Sequence, residues 1–488
     1  MINYFYGVMS NGDQRPNIVL IHVDQWRADC LGFTGHPSVE TPHLNTFFDN
    51  GVNFIRAYAA VPSCIASRAS LMTGLTQRTH GRVGYRDAVP WRYKTTLAST
   101  LASAGYHTQA VGKMHVYPER NLLGFHNVIL HDGYLHHSRS QGNITDRDDY
   151  LPWLKNRRGI NADIIDTGMG CNGYAVAPWS YDTMEHPMAS ITTESIDFLR
   201  RRDPDKPFFL YTSYHRPHPP FDPPQEYLAM YENKVLPPPV KGDWISTLPS
   251  DKGFDSPVPS SEHEIDKARK AYYAQITFID HQINRLLHAI HERNLLENTW
   301  IIFISDHGDM LYDHNHVAKS LPYEASARVP FLVRFPAGQN KHLSRATIDA
   351  PVEMRDIFPT ICDMAGIPVP ESVEGKSVLP FCLGERPSWR EYIHGEHDAG
   401  KLSNHWITDG KWKYVWFSRD GREQLFNLGT DPQECHDCST EVGATTSRFR
   451  QLLIKELTGR EEGYVENGVL VKGKKGVAVL TEPTLLFV

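Results

Sequence analysis

The sequence predicts an α/β fold: a large, mostly parallel sheet sandwiched by helices, with a smaller C-terminal α+β domain containing an antiparallel sheet. Three observations carry this. Residues 17–24 and 299–306 are continuous apolar runs that each end in an acid, Asp24 and Asp306, as strands buried on both faces do. Between them, residues 265–296 place Ala268, Tyr272, Ile276, Ile279, Ile283, Leu286 and Ile290 at spacings of three and four, the apolar stripe of an amphipathic helix. Strands alternating with helices make a parallel sheet covered on both sides.

Residues 206–213 form a further buried strand, and 331–335 another. Proline-rich stretches at 217–224 and 236–239, with a Ser/Pro stretch at 256–260, are loops that shape a cleft. Residues 354–366 read as a helix stopped by Gly366. Residues 406–417 and 423–428 read as antiparallel strands joined by turns, the one through Ser418, Arg419, Asp420 and Gly421 among them. The expected division is 14–385 for the main domain and 386–488 for the C-terminal one. Ligands of open α/β sheets collect at the carboxyl ends of the strands, where Asp24 and Asp306 fall. No internal repeat is visible.

Composition narrows the function classes. A chain of 488 residues with 40% apolar and 22% charged residues buries a large core. Its net charge of −7 argues against a non-specific nucleic-acid binder and leaves room for a local basic pocket. No stretch approaches the roughly 20 apolar residues of a membrane span. Residues 1–15 lack a basic start followed by an apolar run, so the expected location is cytoplasmic as the sequence stands, or periplasmic if an export signal has been removed. Seven scattered cysteines do not form a disulfide framework. Cys435 and Cys438 have zinc-like spacing but no second pair, and read as a turn.

The stretch from Cys64 through Ile65, Ala66, Ser67 and Arg68 runs on into Ala69, Ser70, Leu71, Met72, Thr73 and Gly74. It resembles the maturation signature of type I, formylglycine-dependent sulfatases of the alkaline phosphatase superfamily, with Ala66 where proline is commonest. The resemblance extends from Asn17 to about Pro432 and implies an alkaline phosphatase-like sheet. It also implies that Cys64 is oxidised to formylglycine by a maturation enzyme. An attacking serine would be left as a stable sulfate ester, whereas the second hydroxyl of an aldehyde hydrate expels sulfate by carbon–oxygen cleavage. A helix starting at Cys64 would aim its N–H groups at the anion, and Arg68, one turn on, would hold the hydrate's oxygens.

Asp24, Gln25, Asp306 and His307 together offer three oxygens and an imidazole, a donor set suited to calcium or magnesium; each pair alone also suits helix capping. The resemblance implies that these four, with the modified Cys64, hold Ca2+, or Mg2+ or Mn2+ in its place. It further implies three segments around the nucleophile. Lys113 and His115 alternate on an extended segment, with Lys113 neutralising sulfate and His115 acting as base. His218, after Pro217, would protonate the leaving group. Lys319 would bind sulfate. The implied substrate is a small-molecule or oligosaccharide sulfate ester, with no nucleic-acid or membrane partner.

Two alternatives stay open. Phosphonate monoester hydrolases share the run at 23–29 and that at 214–221, and differ at the position of Lys113 and His115. A non-catalytic glycan- or anion-binding protein would keep the sheet alone. Candidate substrate contacts are Trp91, Tyr134, His136, His137 and Arg139, with Glu396, His397, Asp398, Asn404 and His405 from the C-terminal domain.

Overall fold

A computed structural model describes residues 15–135, 147–245, 261–337, 345–398 and 400–481. The Ser/Pro stretch at 256–260 and His136, His137 and Arg139 lie outside the described residues. In chain order the first strands are β1 (Asn17–Asp24), β2 (Gly51–Phe54), β3 (Ala57–Tyr58), β4 (His107–Gly112) and β5 (Asn127–Leu130). Then come β6 (Phe208–Pro217), β7 (Thr299–Ser305), β8 (Phe331–Arg334), β9 (Ala346–Ile348) and β10 (Val352–Glu353). Eight of them form one sheet in the order β5-β4-β6-β1-β7-β8-β2-β9, and β3 pairs with β10. Strands β5, β4, β6, β1 and β7 are parallel; β8 alone runs against its neighbours.

The continuous apolar pattern follows from burial on two faces. All eight side chains of β1 are buried. Ile18 and Leu20 join Leu71 and Ile357 in one core; Val19, Ile21 and Val23 join Ile276, Ile279 and Ile283 in the other. The first core is covered by α1 (Cys64–Thr73) and the second by α2 (Pro187–Arg201) and α3 (Glu262–Glu292). Truncating a residue such as Ile279 to alanine costs about 2–5 kcal/mol. Helix α3 starts three residues before the expected stripe because Ser261 and Glu264 close a capping box. Strand β6 runs four residues past the expected end, to Pro217. Residues 354–366 divide into a 3-10 turn and α4 (Ile357–Met364), and Gly366 ends the run at φ 63°.

The second sheet is antiparallel, with strands β11 (Ile393–His397), β12 (Asn404–Thr408), β13 (Trp412–Phe417) and β14 (Glu423–Asn427) in that order. Strand β13 alternates. Tyr414 and Trp416 pack with Phe449 and Leu453 of α5 (Gly443–Leu457), while Val415 and Phe417 pack with Tyr58 of β3 and with Tyr323. Cys435 and Cys438 are free thiols beside this sheet. Among the described residues no helix is long and apolar enough to cross a membrane.

Candidate active site

The parallel strands end where the chemistry gathers. Asp24 closes β1, and Asp306 and His307 follow β7. Gln25 leaves the sheet at φ 67°, a left-handed backbone that a non-glycine residue adopts only under local constraint. Its N–H supplies that constraint by donating to Asp306 Oδ1 at 3.1 Å. Cys64 is the first residue of α1, and every residue of that helix is buried. The helix ends at Gly74, whose φ of 69° and 2.7 Å approach of a would-be Cβ to Val373 leave no room for a side chain.

Cys64 Sγ lies 3.1 Å from His307 Nε2 and 3.7 Å from Asp24 Oδ1. His307 Nδ1 is 2.9 Å from the Gly308 carbonyl, so Nδ1 carries the proton and Nε2 faces the site. One oxygen, nitrogen or sulfur from each of Asp24, Cys64, Asp306 and His307 lies within 4.8 Å of the others, and all four residues are buried. Lys113 donates its ammonium to Asp24 Oδ2. Arg68 Nε donates to Asp306 Oδ2 at 3.0 Å, and its Nη1 to the Lys113 carbonyl, Tyr211 and Ser213. Among the described residues the buried Arg68 Nη2 has no hydrogen-bond partner.

Charge is concentrated here. Burial opposes ionisation of Asp24, yet Lys113, with His218, His307 and Arg68, holds its carboxyl well below the usual carboxylate range. Burial and Asp24 push the Cys64 thiol up, but Lys113, Lys319 and His307 outweigh them and bring it below the ordinary thiol value. Burial would lower His307; Asp306 and Cys64 raise it.

A layer behind the site fixes Gln25. Asp309, fully buried, accepts from Gln25 Nε2 at 2.6 Å, Tyr174 Oη at 2.9 Å and the Leu311 and Ala318 N–H groups. The Gln25 amide oxygen accepts from Lys319 at 2.8 Å. The connecting loop holds Leu311, Tyr312, His314, Asn315, Ala318 and Ser320 at positive φ, which delivers Lys319 to the site. None of Asp309, Tyr174, Tyr211, Ser213 or Asp132 figured as a site residue in the sequence reading, although Tyr211 and Ser213 lie in the strand read at 206–213. Asp309 alone had a signal, two residues after His307.

The predicted residues converge unequally. Asp24, Gln25, Cys64, Arg68, Lys113, Asp306, His307 and Lys319 meet in one cluster. His218 is half-buried and couples electrically to Asp24, Lys113 and Lys319. Its Nδ1 is 2.7 Å from the Pro219 carbonyl, leaving Nε2 outward. Strand alternation does not explain Lys113 and His115. Strand β4 stops at Gly112, and His115 sits at φ 54° because Asp132 Oδ1 accepts both the Met114 and His115 N–H groups. The His115 ring faces Tyr85, with centroids 6.1 Å apart.

Most of the proposed substrate contacts serve the fold instead. Glu396 pairs with Arg460, Asp398 accepts from Ser403 and Tyr464, and His405 packs on Tyr464 and Trp416. Trp91 stacks under Arg82, and Tyr134 bonds the Ile164 carbonyl. His397 differs. It is buried, its Nε2 is unpartnered, and burial, His307 and Lys319 push it down to about 4, which places it at the edge of the cluster.

The donor set of two buried carboxylates and one imidazole nitrogen, beside the Cys64 position, suits a divalent cation, while the Gln25 amide oxygen accepts from Lys319. Lys113 and Arg68 already balance the two carboxylates, so a bound cation would leave the site positive and receptive to an anion.

The family model described as "Sulfatase" matches residues 16–367, and "N-sulphoglucosamine sulphohydrolase, C-terminal" matches 312–461. An arylsulfatase of Clostridium perfringens is 50% identical over 470 residues, covering 94% of this chain and 98% of the relative. A multifunctional alkaline phosphatase superfamily protein of Trinickia caryophylli is 30% identical, covering 86% and 90%. The crystal structure of a phosphonate monoester hydrolase of Agrobacterium radiobacter superposes with a TM-score of 0.76 at 25% identity, covering 90% of this chain and 95% of that one.

Proposed function

Because the chain belongs to the sulfatase family, we propose that it is a sulfuric ester hydrolase whose nucleophile is built from Cys64. One observation carries the assignment: Cys64 opens a buried helix in contact with Asp24 and His307 and under the field of Lys113 and Lys319. Family members use a metal ion and a formylglycine, the latter made from cysteine by a maturation enzyme; its hydrate supplies the hydroxyl that attacks sulfur. Asp24, Gln25, Asp306 and His307 would hold the cation, proposed as calcium, which polarises a sulfate oxygen when bound.

The chain's own groups supply the rest. Lys113 and Lys319 neutralise charge on the sulfate oxygens where it accumulates in the transition state. Arg68 is locked by four acceptors, and its spare Nη2 is positioned to hold a hydrate oxygen. His115 is the candidate base for the hydrate proton. Burial and Lys319 keep His218 well below its ordinary value, so it stays neutral near pH 7. Negative charge arriving with substrate favours its protonation, and Nε2 would then donate to the ester oxygen. The substrate is proposed as an aryl sulfate or a sulfated carbohydrate.

A second reading is favoured by the fold match to the phosphonate monoester hydrolase. Lys113 argues for sulfate. In that branch the resembling position is uncharged, whereas here an ammonium meets Asp24. The test is Cys64→Ala in a host that converts the wild-type residue. Turnover of an aryl sulfate should vanish while the circular dichroism spectrum stays native. Wild-type turnover in the variant would end the proposal.

A further inference from the structure

A second concave site lies on the same edge of the main sheet. Strand β2 runs parallel to β1, so its carboxyl end, at Phe54, faces the same way as Asp24. Beyond it is a cavity of about 540 Å³, within the range of small-molecule pockets. Its walls come from the loop after β1, the end of β2, the start of β8 and helix α3. None of the residues assigned to the catalytic cluster lines it.

Four arginines line this cavity: Arg27, Arg56, Arg269 and Arg328. Two are neutralised. Arg27 pairs with Asp29 and Asp313, each at 2.7 Å, and Arg328 pairs with Glu324 at 2.8 Å. Among the described residues, neither Arg56 nor Arg269 has a carboxylate within ion-pair distance. Arg269 is only 7% exposed. It donates to the Pro237 carbonyl and weakly to Tyr273, and its Nε has no partner. The one imidazole in the wall, His36, is pushed down to about 4 by burial, so it adds no charge near neutrality.

A desolvated guanidinium without an anion is costly, and its planar fork matches carboxylates, sulfonates and phosphates. Arg27 holds both Asp29 and Asp313, and Glu324, which pairs with Arg328, also feels the charge of Arg56, so four guanidiniums against three carboxylates leave one net positive charge. Part of the remaining wall is apolar, Tyr273 with Pro237, Pro238, Pro330 and Pro432, beside the polar Thr34, Asn53 and Gln433. Such a surface accepts a flat apolar body that carries its charges at its edge.

We propose that this cavity is a binding site for a small organic anion, separate from the catalytic centre. The probe is naphthalene-1,5-disulfonate, whose carbon–sulfur bonds are not sulfate esters. It is titrated calorimetrically into the full chain. Because binding is read rather than turnover, the result does not depend on conversion of Cys64.

The wild type should show one saturable event. Arg56→Gln should weaken it about tenfold or more, a loss of about 1.4 kcal/mol. Arg56→Lys, which keeps the charge but not the fork, should fall between the two. Lys319→Ala, in the catalytic cluster, should leave binding within about twofold of wild type. Arg56 is half-buried, so its variants avoid the folding risk of replacing Arg269. No saturable binding to the wild type, binding that survives Arg56→Gln, or binding lost with Lys319→Ala overturns the proposal.

Discussion

Asp309→Asn should damage the site without touching any group that meets substrate. The fully buried carboxylate accepts from Gln25 Nε2, Tyr174 Oη and two backbone N–H groups. If asparagine keeps its oxygen toward Leu311 and Ala318, its NH2 meets the donors of Gln25 and Tyr174. Tyr174 can rotate its hydroxyl. Gln25 cannot turn its amide without aiming NH2 at Lys319. One bond to a charged acceptor is lost and one buried donor is stranded, about 3–5 kcal/mol together. Gln25 then loses its orientation, and loss of such support lowers metal affinity about 10–100-fold. Urea unfolding reads the first effect, and calorimetric titration of metal-free protein with Ca2+ reads the second. Stability within about 0.5 kcal/mol and affinity within about twofold of wild type would refute the reasoning. Such a result would mean that burial, which raises the Asp309 pKa, keeps that carboxyl protonated.

Other consequences are equally direct. Arg68→Lys keeps a charge but cannot reach all four acceptors, so a loss of about 2 kcal/mol or more in urea unfolding is expected, with a fall in kcat rather than a rise in KM. His218→Ala should harm esters with poor alkoxide leaving groups far more than activated aryl sulfates; equal losses on both would remove its role as acid. Excess chelator should silence turnover, and added Ca2+ should restore it; full activity in chelator counts against the metal site. Asp280 caps α-helical N–H groups at His43 and Leu44, and burial pushes its carboxyl up to about 7. The folded state therefore keeps a proton that the unfolded chain has lost, and the stabilisation fades as pH rises from about 4 to 7, by up to about 4 kcal/mol. Asp280→Asn should flatten that slope in the urea midpoint measured against pH.

The parts of the fold legible in the sequence were those in which one pattern has one physical cause. Strands buried on both faces must be apolar throughout, so β1 and β7 were placed to within a residue. The i, i+3, i+4 stripe placed α3, whereas the strand run read at 406–417 divides into β12 and β13 around residues 409–411. The clustering of the candidate residues was legible because most of them follow strand ends or open a helix. What escaped depends on contacts between distant segments. Asp132 sets the backbone of His115 from 17 residues away, and Asp309 steers Gln25 across 284 positions. Glu396 and His405 showed the opposite failure. Polar residues in short strands looked like loop contacts, yet Arg460 and Tyr464 from beyond the sheet bury them. The positive-φ loop that carries Lys319 has no sequence signature, because few of its left-handed positions are glycine or asparagine.

The most direct test of the central assignment is a matched turnover measurement on protein whose residue 64 is confirmed as formylglycine by peptide mass spectrometry. An aryl sulfate is compared with the aryl phosphonate monoester and phosphodiester carrying the same leaving group. The account predicts a higher kcat/KM for the sulfate, lost when Lys113 is replaced by alanine. A higher kcat/KM for either phosphorus substrate would contradict it and place the enzyme with the phosphonate monoester hydrolases.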